Sequence, residues 1–218
     1  MERSRSGFGR KKALSILAAV LITAGVTAGC GGGGGSDGSG PPKLLGVVRT
    51  PALKVGDVKL LDVSGAEPKP VAMAAPKGDL RLVYFGYTSC PDICPTTMSD
   101  LSVAIGDLPA ADKGRVTVAM VTVDPDRDTP EVLREYLASF FEHPLPLRAA
   151  DPAALEAAAQ AFGVRYEVAD HKPGSSDYEV SHSAVTYVVD DTGTVVVEWP
   201  FGFDSEQMTK DLKTLLEG

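Results

Sequence analysis

Two cysteines stand four residues apart in YFGYTSCPDICPTTM (residues 84–98), and each is followed by a proline, as Cys90-Pro91 and Cys94-Pro95. The spacing is one residue longer than the C-x-x-C of a thiol–disulfide redox motif. On a helix, residues four apart share a face, with Cβ atoms roughly 5–6 Å apart. In the first turn of a helix the two sulfurs therefore meet at one point. Pro95 agrees with a first turn, where its missing N–H has no partner to lose. Backbone N–H groups at a helix start favour thiolate over thiol. The pair is expected as two thiolates, suited equally to disulfide exchange and to a soft metal ion. A purely structural disulfide is the plain alternative, but a bridge closing a three-residue loop removes little chain entropy.

Other donors are few. Residues 124–128 read DPDRD, with carboxylates Asp124, Asp126 and Asp128 at alternating positions, a pattern that can hold a hard cation. The plainer reading makes Asp128 the cap of a following helix. It leaves Asp124, at the end of a strand, near the cysteine loop, and Asp124 and Asp128 are both candidates to tune the site or meet a partner. Of the three histidines, His143 in EHPLP and His171 in DHKPGSS fall in loop-like stretches expected to be solvated. His182 stands at the lip of a strand between Ser181 and Ser183. Taken alone, it reads more readily as a hydrogen-bonded structural residue than as a ligand.

The elements that must carry these residues follow from periodicity. DVKLLDV reads as a strand, and LRLVYFG (residues 80–86) as one apolar enough to be buried on both faces. After the cysteines, Met98, Leu101, Ile105 and Leu108 make one helical stripe. RVTVAMVTV (residues 115–123) is rich in β-branched residues and reads as the next strand. A helix then opens at Asp128 or Thr129 with Pro130 in its first turn. A shorter one runs from Asp151-Pro152 to a stop at Gly163. SAVTYVVDDTGTVVVEW is a hairpin turning at residues 191–193, and DSEQMTKDLKTLLEG closes the chain as a helix. Two strands joined through a helix pair in parallel by a right-handed crossover, whereas a hairpin adds antiparallel strands. The expected fold is α/β and thioredoxin-like: a mixed central sheet with helices on both faces and a C-terminal β-hairpin plus helix. The cysteines fall where the first parallel strand gives way to its helix, the end at which sites in open α/β sheets lie.

The amino end is of a different kind. A basic stretch (residues 1–12), an apolar uncharged stretch (residues 13–28) and a small-residue exit form an export signal over residues 1–29. TAGC at residues 27–30 resembles the lipobox of bacterial lipoproteins, with Thr27 where leucine is usual. That resemblance implies lipidation of Cys30 and leaves Cys90 and Cys94 to work as a pair. The glycine-rich run that follows makes residues 30–43 a flexible tether, and the domain occupies residues 44–218. Residues 1–29 hold five of the 21 basic and one of the 29 acidic residues, which leaves 16 against 28, a net charge of −12. A surface that acidic repels phosphate backbones, so nucleic acid is not an expected partner.

Three motifs together resemble one family. YFGYTSCPDICPTTM, TVDPDRDTPEVLREY (residues 122–136) and DYEVSHSAVTYVVD (residues 177–190) are similar, in sequence, order and spacing, to the signatures of the Sco/SenC family. These are copper-binding, thioredoxin-like proteins of cytochrome oxidase assembly. The resemblance runs from about Leu44 to the carboxyl end. It implies Cys90, Cys94 and His182 as metal ligands, with copper as Cu(I) or Cu(II). Two thiolates and an imidazole are a soft donor set that suits this metal. It also implies a metallochaperone, not an enzyme, on the extracytoplasmic face of the bacterial cell membrane. Its partner would be cytochrome c oxidase subunit II, with other copper donors or thiol reductants beside it. The alternative is a thiol–disulfide oxidoreductase that uses a Cys90–Cys94 redox disulfide to keep the oxidase's copper-site cysteines reduced. Against that stand the longer spacing and the absence of a proline just before SAVTYVV, where His182 stands instead. A peroxiredoxin is set aside because only Ser89 separates Thr88 from Cys90.

Overall fold

The structure, a computed structural model, describes residues 43–217. The export signal (residues 1–29), Cys30 and all of the tether except Lys43 lie outside the described residues. In chain order the elements are β1 (Lys59–Asp62), β2 (Lys69–Ala72), β3 (Leu80–Gly86), α1 (Ile93–Gly106), α2 (Ala110–Lys113), β4 (Val116–Thr122) and α3 (Pro130–Ala138). They continue with β5 (Leu145–Arg148), α4 (Pro152–Phe162), β6 (Tyr166–Val168), β7 (Val180–His182), β8 (Val185–Val189), β9 (Val195–Pro200) and α5 (Ser205–Glu217). Seven strands form one mixed sheet in the order β2-β1-β5-β4-β3-β8-β9, and β6 and β7 form a separate two-stranded ribbon.

β3 lies inside the sheet because all seven of its residues are buried, as a near-continuous apolar run requires. It pairs in parallel with β4, in register from Leu80 opposite Val116 to Gly86 opposite Thr122. On its other side it pairs antiparallel with β8, the first strand of the expected hairpin, which turns through Gly193 at φ 73°. Side chains alternate across the sheet. Tyr84 reaches Cys94 of α1 on one face, and Phe85 meets the edge of Phe162 in α4 on the other, with ring centroids 5.2 Å apart. Helices thus cover both faces. α1 buries Cys94, Met98, Leu101 and Ala104, and α5 packs beside it, with Thr209 Oγ1 donating to the Ala104 carbonyl at 3.1 Å. α4 has the expected ends: Asp151 accepts from the Ala154 N–H at 2.8 Å, Pro152 opens it, and Gly163 ends it at φ 69°.

Two expectations change. The cap of α3 is Thr129, whose hydroxyl accepts from the Val132 N–H at 3.3 Å, not Asp128, which is fully buried and engaged elsewhere. The sheet also has a third parallel strand, β5, that periodicity does not reveal. A proline inside a strand removes a ladder donor and argues against strand. β5 accommodates Pro146 because the strand is four residues long and the proline carbonyl still accepts, from the Val63 N–H at 3.0 Å.

The start of the domain is bolted down by one buried carboxylate. Residue 47 bridges to Glu198 of β9, each N–H donating to the other's carbonyl at 2.9 Å. Asp211 of α5 accepts from the Leu45 N–H at 2.6 Å, the Gly46 N–H at 3.0 Å and the Trp199 indole at 3.0 Å. Replacing Asp211 by Ala leaves those donors without an acceptor. The expected result is a loss of about 2–3 kcal/mol, measured as a lower urea midpoint at an unchanged slope.

Candidate metal centre

The cysteine pair does not sit on one helical face as its spacing predicts. The N-cap of α1 is Asp92, so Cys94 is the second helical residue and Cys90 lies in the loop before the helix. The loop doubles back over the helix start, and the Cys94 N–H donates to Cys90 Sγ at 3.4 Å. Burial disfavours a Cys90 thiolate, but the N–H groups of Asp92 and Cys94 outweigh it and hold this thiol below its ordinary range. Cys94 behaves oppositely. It is fully buried, and chiefly for that reason it is pushed up to about 12, with the neighbouring Cys90 adding to the effect. The expectation of two equally poised thiolates is therefore corrected: one thiol is prepared and the other is held protonated.

His182, the last residue of β7, comes from 88 residues away to place Nε2 3.4 Å from Cys94 Sγ. Its Nδ1 lies 3.1 Å from the Ser183 carbonyl. A carbonyl only accepts, so Nδ1 carries the hydrogen and the Nε2 lone pair faces the sulfur, the arrangement a metal-binding imidazole needs. Burial lowers the pKa of His182, which keeps the ring neutral. Tyr84 and Tyr87 enclose the ring edge-on, with centroids 5.6 and 5.8 Å away. Among the described residues, Cys90, Cys94 and His182 are the one group of three or more His, Cys, Asp or Glu side chains whose donor atoms converge, all within 4.8 Å of one another. Donors bound to one ion at about 2.0–2.3 Å stand at most about 4.6 Å apart. The set converges on one point and needs only a slight closing of its widest pair to hold a single ion.

Residues 50–217 match the SCO1/SenC family. The chain belongs to that family. It is 35% identical over 117 residues to a SCO2-like protein of Rickettsia prowazekii, covering 54% of this chain and 56% of that one, so it spans just over half of that relative. Among solved structures it resembles apo Sco1 of Thermus thermophilus (32% identity, TM-score 0.67, covering 80% of this chain and 98% of that one). It also resembles Bradyrhizobium japonicum ScoI with copper bound (33% identity, TM-score 0.61, covering 72% and 95%).

In this SCO1/SenC chain the DPDRD carboxylates do not converge as a donor group. Asp128 accepts from the Thr88 N–H at 3.1 Å and from the hydroxyls of Thr88 and Thr122 at 2.5 Å each. It therefore fixes the loop two residues before Cys90. Asp124, also buried, pairs with Arg127 and accepts from the Tyr178 hydroxyl at 2.6 Å, and Asp126 is exposed. His143 is solvated as expected, but His171 is not. It stacks on Tyr178 with ring centroids 3.7 Å apart, its side chain only 14% exposed, and it takes no part in the centre.

Sequence reasoning passed over Tyr84, whose hydroxyl lies 3.8 Å from Cys94 Sγ, and Gly86. A Cβ at Gly86 would stand 3.0 Å from that sulfur and 2.6 Å from the Tyr84 ring. The even-numbered face of LRLVYFG was the available signal. The asymmetry of the thiols has a direct consequence. In the reduced, metal-free protein at pH 7.5, iodoacetamide is expected to label Cys90 and leave Cys94 unmodified, with mass-mapped peptides as the readout. Equal labelling of both would contradict it.

Proposed function

We propose that this protein is a copper metallochaperone of cytochrome c oxidase assembly. It takes copper as cargo on Cys90, Cys94 and His182 and delivers it to the binuclear copper centre of oxidase subunit II. The observation that carries this reading is the convergence of two sulfurs and a correctly oriented imidazole nitrogen on one point. Two thiolates and an imidazole form a soft, three-coordinate set for Cu(I), and the same donors take Cu(II). A closed zinc site wants four ligands, and among the described residues no fourth His or Cys joins the group. The chain's residues divide the work. Cys94 gives up its proton as copper takes its place, His182 presents a ready lone pair, and half-exposed Cys90 is the ligand an incoming acceptor thiolate reaches first. Delivery then proceeds by exchange of one thiolate for another at a three-coordinate ion.

The place of action in this reading is the extracytoplasmic face of the cell membrane, where a lipid on Cys30 holds the domain through the glycine-rich tether. Among the described residues no helix is long and apolar enough to cross a membrane.

One observation favours a second activity at the same residues. A half-exposed thiol of lowered pKa in front of a buried partner is the order of an attacking and a resolving cysteine. Cys90 thiolate would attack an acceptor disulfide, releasing one acceptor thiolate. Cys94 would then displace the other, leaving a Cys90–Cys94 disulfide and a reduced acceptor.

Titrating the reduced protein with copper is expected to give one tightly held ion. His182→Ala should weaken it by more than the roughly 10–100-fold that losing an outer-sphere partner costs. Binding displaces the Cys94 proton, so affinity should fall as pH falls, by about tenfold per unit through the neutral range. Retention by His182→Ala equal to wild type would remove His182 from the ligand set. Delivery is tested by mixing the loaded protein with the reduced copper domain of subunit II, separating the two and assaying copper. The metal is expected on the acceptor, and its retention by the donor would refute delivery. Reduction of an oxidised acceptor that survives His182→Ala would mark the thiol activity as separate.

A further inference from the structure

The two cysteines and the histidine come from parts of the chain that share no ladder. Cys90 and Cys94 follow the central strand β3, whereas His182 ends a ribbon that pairs only with itself. β8, which begins three residues after His182, pairs with β3, and the stretch that leads into β7 is held toward the cysteine loop by contacts that include Arg127. Its Nη1 donates to the carbonyls of Ser176 at 3.1 Å and Tyr178 at 3.2 Å, in the stretch leading into β7. Its guanidinium lies 3.9 Å from the centre of the Tyr178 ring and 5.6 Å from that of Tyr87. His171 stacks on Tyr178 at 3.7 Å. Two groups that close to one ring must occupy opposite faces, so Tyr178 is sandwiched between the imidazole and the guanidinium.

The path continues to the ligand. Tyr87 stands three residues before Cys90, donates its hydroxyl to the Val180 carbonyl at 3.2 Å, and meets the His182 ring edge-on. Arg127 thus touches the ring that confines His182 and the backbone four residues before it. Asp124 orients the guanidinium from beneath, and the Tyr178 hydroxyl closes the circuit back to Asp124 at 2.6 Å.

We propose that Arg127 is a positioning residue for the third copper ligand: it clamps the 176–182 stretch onto the cysteine loop and so sets where His182 Nε2 lies. The inference rests on the reading of Cys90, Cys94 and His182 as a copper centre. The competing role is charge balance, since a buried Asp124 needs a cation beside it. Two features speak for geometry. The guanidinium leaves Nη2 buried without a hydrogen-bond partner, a cost accepted in order to lie flat against aromatic faces. Nε serves Asp124 while Nη1 serves the two carbonyls, a spread of rigidly directed donors that a single ammonium does not provide.

Lysine separates the two roles, because it keeps the charge beside Asp124 and loses the fork and the stack. In the full-length metal-free protein, Arg127→Lys and Arg127→Gln are both expected to speed amide exchange in residues 178–182 by about tenfold or more, with exchange in β3 and β4 unchanged. Loaded with one equivalent of Cu(II), both should lose or shift the nitrogen hyperfine signature of His182. Copper affinity should fall roughly 10–100-fold while one ion is still held by Cys90 and Cys94. Wild-type exchange and a wild-type spectrum in Arg127→Lys would overturn the inference in favour of charge balance. Faster exchange spread evenly over the central sheet would overturn it in favour of a general structural role. A wild-type protein that binds no copper would defeat the metal reading itself, and the exchange data would still decide whether Arg127 holds the ribbon.

Discussion

A buried sulfur faces a half-buried imidazole nitrogen across a gap that a proton, or in the proposed copper reading a metal ion, can bridge, and most of the site follows from that constraint. Cys94 has no solvent exposure, and His182 Nε2 lies 3.4 Å from it with its lone pair inward. An isolated thiolate in this position would be costly, so the proton stays on sulfur, which points it at the nitrogen. In the state with a Cys90 thiolate, which the neighbouring N–H groups favour, and a protonated Cys94, the site carries one negative charge. In the proposed copper reading, replacing the proton by Cu(I) gives two thiolates and one monovalent cation, again one negative charge. That exchange adds no net charge to a desolvated site, whereas a divalent ion changes the charge by one. Burial of Cys94 then does not by itself oppose the proposed metal binding.

Holding that arrangement takes two separate anchors. One is Asp128, buried and saturated by Thr88 and Thr122, which ties the loop before Cys90 to the end of β4. The other is the Asp124 network, which reaches the ribbon that carries His182. Both carboxylates lie in one five-residue stretch directly after the second parallel strand. That stretch is where the C-terminal ends of β3 and β4 open, and from there one short segment touches both the cysteine loop and the ribbon. The glycine at the end of β3 completes the fit, since a side chain there would collide with the Cys94 sulfur.

The sequence made the long, strongly patterned elements legible and the short ones not. LRLVYFG, its helix, RVTVAMVTV and the C-terminal hairpin and helix are long enough for a period to repeat, and they stand where periodicity predicts. β5 carries a proline, and β6 and β7 have three residues each, too few for any alternation to register. The ligands were legible only in part. The cysteines announce themselves by spacing, but His182 alone reads as a structural histidine, and only its resemblance-bearing context marks it out. Asp128 was misread as a cap because Asp and Thr are both good caps and adjacent. Burial chose between them, and burial is a property of the fold. His171 was misread as solvated for a similar reason: its neighbours in sequence are polar, while its neighbour in space is an aromatic ring.

The three residues between the cysteines also acquire a physical meaning. A disulfide draws two sulfurs to about 2.05 Å, whereas two sulfurs on one ion at about 2.3 Å each stand up to about 4.6 Å apart. A loop made for metal must therefore hold its sulfurs farther apart than a loop made for a bond. Here Pro91, Asp92 and Ile93 carry the chain over the helix start, so that Cys94 enters α1 while Cys90 stays outside it. The helix N-terminus then acts on Cys90 through the N–H groups of Asp92 and Cys94. One thiol is half-exposed and acidified, the other buried and protonated. Two cysteines on one helical face would have shared an environment and titrated alike. Separation by the cap residue makes them unlike, and in the proposed copper reading an unlike pair lets one sulfur meet a partner while the other stays with the metal.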